Sequence, residues 1–352
     1  MRKRIYSFDF LKIVATICII AHHYQIYTKT MFSSGMNFLD GKFEFPYLVE
    51  LFFVMSGYFM MPYIEKINAG MSFKQFFLPK YFRFLVPQAL SVIVFAILDI
   101  VYEGLYLQEF FGRTVQVWGV IVAALGFSSG WGIPNPKMNG TIWYISVLLI
   151  CYVIFYVIVF LSKKTKSSPY WMFSFVIFVA FSVSSNSIKM LFLDSGTARG
   201  LTAFFFGIIL AKVVRGKEIS NKTAIISLIL FLMMLYVVLD WKKTYASTGL
   251  SYLYTFCLFP FLLVFLKSEF MQKIFYGKFW GVVGNISFEA YIWHFPLILA
   301  MLDADKKWRW AIDYHNRFYL YMLVICSYIV GTVCYYFVEI PSTKYFRDKI
   351  GV

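Results

Sequence analysis

Two adjacent histidines, His22 and His23, stand near the end of the stretch IVATICIIAHHYQIY, an otherwise apolar run. A neutral imidazole, with an ordinary pKa near ~6.5, can take a proton from a hydroxyl as that oxygen attacks an acyl carbon. At about 100° per residue, Lys12 and His23 fall within roughly 20° of a common line on a helix. Asp9 lies about 40° from His23 and Thr16 about 20°, so Asp9, Lys12, Thr16 and His23 form one polar stripe. At the usual helical rise of about 1.5 Å per residue the stripe is roughly 20 Å long. His22 is turned about 100° aside, toward Cys18 and apolar neighbours. This spacing makes His23 the candidate base and Lys12 a candidate anchor for the anionic groups of a donor. The same residues also fit a helix start among lipid headgroups, with Asp9 and Lys12 as an i,i+3 pair and histidine at the opposite interface.

Ionisable groups at membrane depth are costly, so each one inside an apolar run is a candidate for function. Glu50 opens ELFFVMSGYFM, where it is either an interfacial carboxylate or a group that orients a substrate hydroxyl or His23. Ser56 and Gly57 in the same run are small enough to let a neighbouring helix approach closely. In PKYFRFLVP, Lys80 and Arg83 are i,i+3 neighbours at a helix start. They suit a phosphate contact, and they equally suit the excess of positive charge found in cytoplasmic loops. In GNISFEAYIWHFPLIL, Ser287, Tyr291 and His294 share one helical face. His294 is either an interhelical hydrogen-bonding residue or part of a site. Asn285 is placed as an N-cap, with Glu289 in the first turns where it favours the helix dipole. The five cysteines all lie in apolar runs without pairing or ligand spacing and read as core residues, and no metal site is expected.

The elements that must hold these residues follow from composition. The 352 residues are 60% hydrophobic and only 14% charged, too little polar surface for a soluble domain of this size. Apolar runs near twenty residues recur, so the expected fold is an all-α integral membrane protein. Ten spans can be drawn, at 8–27, 46–64, 84–103, 141–161, 170–187, 198–214, 222–240, 249–267, 282–302 and 317–338. The net charge of +15 sits in short clusters between spans, which argues for membrane orientation and against nucleic acid. Arg2, Lys3 and Arg4, the KKTK at 163–166, and Lys344, Arg347 and Lys349 then fall on one side, with both termini cytoplasmic. The basic amino terminus resembles a signal peptide, but Asp9 and Lys12 interrupt its apolar part and no small-residue cleavage site follows, so an uncleaved first span is expected. The apolar stretch 115–127 is too short to cross and reads as a re-entrant or interfacial helix in a long outer loop. Residues 1–352 are expected to form a single membrane domain with no soluble appendage.

Several stretches together resemble the acyltransferase 3 family of integral-membrane O-acyltransferases. They are FDFLKIVATICIIAHH, FFVMSGYFM, KYFRFLVP, GTIWYISVLLICY, GNISFEAYIWHFPLIL and YYFVEIPSTKYF, and they cover nearly the whole chain. The resemblance implies a ten-helix membrane domain with His23 at the catalytic position. Lys12 and Lys80 stand where the family usually has arginine, and lysine keeps the charge but lacks the planar fork. The implied reaction moves an acyl group, with acetyl expected, from cytoplasmic acyl-CoA to a hydroxyl of a cell-surface glycan, lipid-linked sugar or similar acceptor. Donor phosphates would lie near Lys12, Lys80 and Arg83, with Asp9, Glu50, Tyr291 and His294 as further substrate-site candidates. No bound cofactor is implied, and acyl-CoA is a substrate. The implied location is the bacterial cytoplasmic membrane, with glycan-assembly proteins as candidate partners. The chain is expected to stand alone, without the fused soluble hydrolase-like domain common in the family. The competing class is a polytopic exporter of a glycan or lipid intermediate, since intramembrane His and Lys also suit proton-coupled transport.

Overall fold

The computed structural model describes residues 4–30, 47–110, 112, 114–134, 136, 138–185, 192–241 and 247–351. Arg2 and Lys3 of the amino-terminal basic cluster lie outside these residues. The long helices are α1 (Tyr6–Tyr27), α2 (Leu48–Asn68) and α3 (Phe73–Tyr106), then, after the short α4 (Val117–Ala124), α5 (Trp143–Lys164) and α6 (Pro169–Ser185). Next come α7 (Ser195–Val214), α8 (Asn221–Trp241) and α9 (Ser247–Leu253), which passes through a π-helical turn at Tyr254–Leu258 into α10 (Phe259–Lys267). After α11 (Glu269–Ile274) follow α12 (Lys278–Trp308) and α13 (Arg317–Cys334), whose π-helical turn at Tyr335–Glu339 leads into α14 (Ile340–Ile350). Among the described residues nine helical segments are long and apolar enough to cross a membrane. The 17-residue α6, over the expected span 170–187, is apolar but shorter. The apolar stretch at 115–127 forms only the eight-residue α4.

Two helices start earlier than their apolar runs suggest. Helix α3 begins at a capping box in which Gln75 N donates to Ser72 Oγ while Ser72 N donates to Gln75 Oε1. That pair satisfies two otherwise orphaned donors, so the helix extends back through Lys80 and Arg83. Helix α12 begins at Lys278, which puts Asn285 inside the helix instead of at its cap and Glu289 in its buried middle.

Contacts divide the chain into two compact units, each discontinuous in sequence. The first comprises Met1–Ala15, Ser33–Met71 and Cys151–Asn285. Its tightest packing joins α2 to α7. A side-chain carbon at Gly57 would overlap the backbone carbonyl of Phe204, and one at Gly207 would overlap that of Val54. Two glycines on facing helices thus bring backbones into direct contact, as small residues do in membrane interiors. Gly284 serves α1 in the same way, since a carbon there would sit 2.6 Å from Asp9 Cβ.

The second unit comprises Thr16–Phe32, Ser72–Ile150 and Ile286–Val352. It holds the carboxyl-terminal part of α1, all of α3 and α4, and most of α12. Close approach recurs at Gly331 of α13, where a side-chain carbon would lie 2.8 Å from the backbone nitrogen of Ala290.

Candidate functional site

Within the second unit, α1 and α12 bring two histidines together. His23 Nδ1 lies 2.8 Å from His294 Nε2, and the two rings are nearly parallel with centroids 5.0 Å apart. His294 is fully buried, and its Nδ1 lies 2.6 Å from the backbone oxygen of Tyr291. A carbonyl only accepts, so His294 Nδ1 carries the proton and donates it. In neutral His294 the Nε2 is then an acceptor, and His23 Nδ1–H must be its donor. That leaves the lone pair of neutral His23 on Nε2. The backbone of Tyr291 thereby sets the tautomers of two residues in turn. Phe295 packs edge-on against His23 at 4.7 Å, and Tyr27 lies one turn beyond it at 6.3 Å. His22 contacts His23 with tilted rings 5.4 Å apart.

The position of α12 rests on a proline. Pro296 has no N–H, so the carbonyl of residue 292 loses its helical donor. An unsatisfied carbonyl in a membrane interior costs several kcal/mol, roughly as much as any single polar error there. Ile292 O instead accepts from Ser91 Oγ at 2.8 Å and Asn139 Nδ2 at 2.9 Å. Asn139 Nδ2 also donates to Ser91 Oγ, and Asn139 Oδ1 accepts from Thr141 Oγ1 at 2.9 Å. Tyr291 OH in turn donates to Thr141 O at 3.1 Å. This knot joins α3, the segment before α5 and α12 one turn from His294. Reading the sequence by runs and periods passed over Ser91 and Asn139. The signal that points to them is Pro296, whose i−4 carbonyl must find a donor elsewhere.

Of the basic candidates in this unit, Arg83 Nε donates to Glu339 Oε1 at 2.7 Å. Glu339 is 4% exposed and ends the π-helical turn after α13, a local geometry that often marks functional positions. Lys80 Nζ donates to Phe76 O at 2.8 Å and lies over the Phe76 ring.

The remaining candidates lie in the first unit. Asp9, 3% exposed, accepts from Arg4 Nε at 2.5 Å and from Lys12 Nζ at 2.9 Å. Arg4 also donates to Gly281 O and Asn285 Oδ1, so Asn285 acts as an acceptor for the segment just before α1. Glu50 is fully buried and accepts from Arg199 Nε at 2.6 Å and Ser251 Oγ at 2.7 Å. Arg199 gave no sequence signal beyond its charge near the start of α7. Its partner lies 149 positions away, beyond the reach of helical periodicity. Among the described residues no group of three or more His, Cys, Asp or Glu is arranged to hold a metal ion.

The arrangement around His23 can accept a proton at one nitrogen while the other is held by a buried donor–acceptor chain. A family model described as an acyltransferase domain matches residues 5–338, a range that includes Asp9, Lys12, His23, Glu50, Lys80, Arg83, Tyr291 and His294. The peptidoglycan O-acetyltransferase OatA of Listeria monocytogenes serovar 1/2a is 22% identical over an alignment of 372 positions. The alignment covers 97% of this chain and 56% of that relative, so the chain spans little more than half the relative's length. No solved structure matches the chain.

Proposed function

Since the chain belongs to the acyltransferase 3 family, we propose that it is a multi-pass membrane O-acetyltransferase in which His23 deprotonates the attacking hydroxyl. The donor in this reading is acetyl-CoA at the cytoplasmic face, with both termini on that side. The acceptor is a hydroxyl of a cell-wall glycan, with peptidoglycan first in line by similarity to the relative. The observation that carries the proposal is the chain of hydrogen bonds from His23 Nδ1 through His294 to Tyr291 O.

In the reaction the hydroxyl oxygen attacks the thioester carbon as its proton passes to His23 Nε2. The resulting imidazolium keeps its Nδ1–H on His294 Nε2, and that bond strengthens because its donor is now charged. Collapse of the tetrahedral intermediate breaks the carbon–sulfur bond, and the departing thiolate takes the proton back from His23. His294 touches no reacting atom and is a positioning residue. Within the second unit, Lys80 and Arg83 on α3 are the candidates for donor phosphates, where a cation offsets anionic charge; Lys12, in the first unit, is a separate candidate anion contact that Asp9 holds. Glu339 would then set the orientation of Arg83.

The test supplies labelled acetyl-CoA to membranes that contain the protein and follows label into alkali-labile esters on glycan. Label that reaches glycan only with the protein present supports the reading. Glycan esters formed without any acyl-CoA requirement would reject it.

A further inference from the structure

Two aspartates of the second unit are buried without the partner that a carboxylate in a membrane interior needs. Asp99 of α3 is 1% exposed and Asp303 of α12 is 5% exposed. Among the described residues no oxygen of either carboxyl has a hydrogen-bond partner, although the Phe110 amide lies near Asp99. The ion pairs of the described residues all use other carboxylates. Two hydrogen bonds place both aspartates in one seam. Ser91 Oγ donates to Ile292 O at 2.8 Å, and Tyr106 OH donates to Leu302 O at 2.9 Å. Helices α3 and α12 therefore run side by side in the same direction from Ser91 to Tyr106. At about 100° per residue, Asp99 and Tyr106 fall within roughly 80° of Ser91, and Asp303 within about 20° of Ile292. The charge of Asp99 bears on Asp303, and those of Glu103 and Glu109 bear on Asp99. Lys306 lies over the Tyr106 ring, 5.2 Å from its centroid, and forms no ion pair with either aspartate.

Two ionised carboxylates are costly in one low-dielectric seam without a cation between them. Their oxygens are enclosed, and among the described residues no group of three or more His, Cys, Asp or Glu could hold a metal ion. The smallest cation, a proton, needs only the two carboxyls. A protonated carboxyl donates, an ionised one accepts, and the bond between them is of the strong, charge-assisted kind. Such a bond also has a place to act. Pro296 interrupts the hydrogen-bond ladder of α12, so the part of the helix beyond it needs an anchor of its own. Ser91 and Asn139 hold α12 before the proline, at Ile292, and Asp303 lies after it. His294 stands between these two points.

We propose that Asp99 and Asp303 hold one proton between them as a carboxylic acid–carboxylate hydrogen bond, which clamps α12 to α3 beyond Pro296 and makes Asp303 a positioning residue for His294. The inference rests on the acetyltransferase reading for its effect on rate, though not for the proton. It is tested by infrared absorption of the purified full chain in detergent at neutral pH, read as wild type minus variant. A carboxylic-acid C=O band is expected in the wild type and lost in both Asp99→Asn and Asp303→Asn, where the amide becomes the donor. Glu103→Gln is expected to keep the band. Asp303→Ala strands Asp99 and is expected to lower the melting temperature by about 4–7 °C, against less than about 2 °C for Asp303→Asn. Asp303→Ala is also expected to lower kcat about threefold or more with KM unchanged, and the amide of Asp303→Asn to restore most of that loss. If Asp303→Ala does not fold, the infrared comparison carries the test. A band that survives both Asn substitutions would overturn the shared proton. So would a wild-type melting temperature that rises with added Na⁺ or Ca²⁺ while that of Asp303→Asn does not, since a metal ion would then fill the seam. Equal kcat in Asp303→Ala and wild type would overturn the clamp. If the band is lost as expected and the wild type transfers no acetyl group, the pair stands and the acetyltransferase reading falls. If acetyl transfer proceeds and the band is unaffected, the pair falls and that reading stands.

Discussion

Replacing His294 tests the logic of the paired imidazoles with the least ambiguity. His294→Phe keeps a flat ring in a fully buried place but removes both the acceptor for His23 Nδ1–H and the donor to Tyr291 O. In the resting state the lost bond is between neutral groups and contributes about 1 kcal/mol. In the transition state His23 is cationic, and a hydrogen bond from a charged donor contributes about 1.5–3 kcal/mol. The difference, about 0.5–2 kcal/mol, converts to a fall in kcat of roughly 2- to 30-fold at about 1.4 kcal/mol per decade, and the loss of the tautomer preference acts in the same direction. KM for either substrate is expected to move less than about threefold, because His294 meets neither. His294→Gln can offer an oxygen to His23 Nδ1–H and is expected to retain more activity than His294→Phe. Initial rates with labelled acetyl-CoA and purified protein, across both substrate concentrations, give the two parameters. An unchanged kcat in His294→Phe, or a loss confined to KM, would refute the role assigned to this pair.

Further outcomes concern the frame that holds the pair. Ser91→Ala alone leaves Ile292 O with Asn139, and Asn139→Leu leaves it with Ser91, so each single change is expected to cost about 1 kcal/mol. The double variant strands the carbonyl and is expected to exceed the sum by about 1 kcal/mol or more in thermal unfolding, where strict additivity would contradict a shared acceptor. Gly57→Ala forces a side-chain carbon onto the Phe204 carbonyl and is expected to cost about 3 kcal/mol, whereas Gly104→Ala, with open space around it, is neutral or stabilising. Equal melting temperatures for those two variants would show that α2 and α7 are not held by glycine contact. Glu50→Gln is expected to cost about 3–5 kcal/mol by leaving Arg199 beside a neutral partner. Adding Arg199→Met should return part of that loss, and a double variant less stable than Glu50→Gln would refute the pairing.

The membrane class and most of the spans were legible because twenty-residue apolar runs and clustered positive charge survive without any knowledge of tertiary structure. Helix starts were less so. The run beginning at Phe84 hid the capping box at Ser72 and Gln75, which was written in the local sequence as Ser-x-x-Gln but lies in a polar stretch. Asn285 looked like a cap because asparagine is common there, yet α12 already starts at Lys278, and Gly281 and Gly284 leave its first turns room against the residues of and before α1. His23 and His294 could each be singled out, since an imidazole in an apolar run needs a reason. Their pairing could not, because it joins positions 271 residues apart and depends on which faces α1 and α12 turn to each other. Glu50 with Arg199 and Arg83 with Glu339 share that limit: periodicity tells which face a residue occupies, not which helix that face meets. Pro296 was the exception, a local residue whose missing N–H points directly to a distant donor.

The most direct measurement compares His23→Ala with His22→Ala in the acetyl-transfer assay, at matched amounts of folded protein. The two residues are neighbours in sequence and contact each other, so nonspecific damage to α1 would affect both. With His23 as the base, His23→Ala is expected to lose about 100- to 10,000-fold in kcat, the range for removing a general base. His22→Ala is expected to stay within about threefold of wild type. Wild-type rates in His23→Ala, or equal losses in both variants, would contradict the assignment of His23.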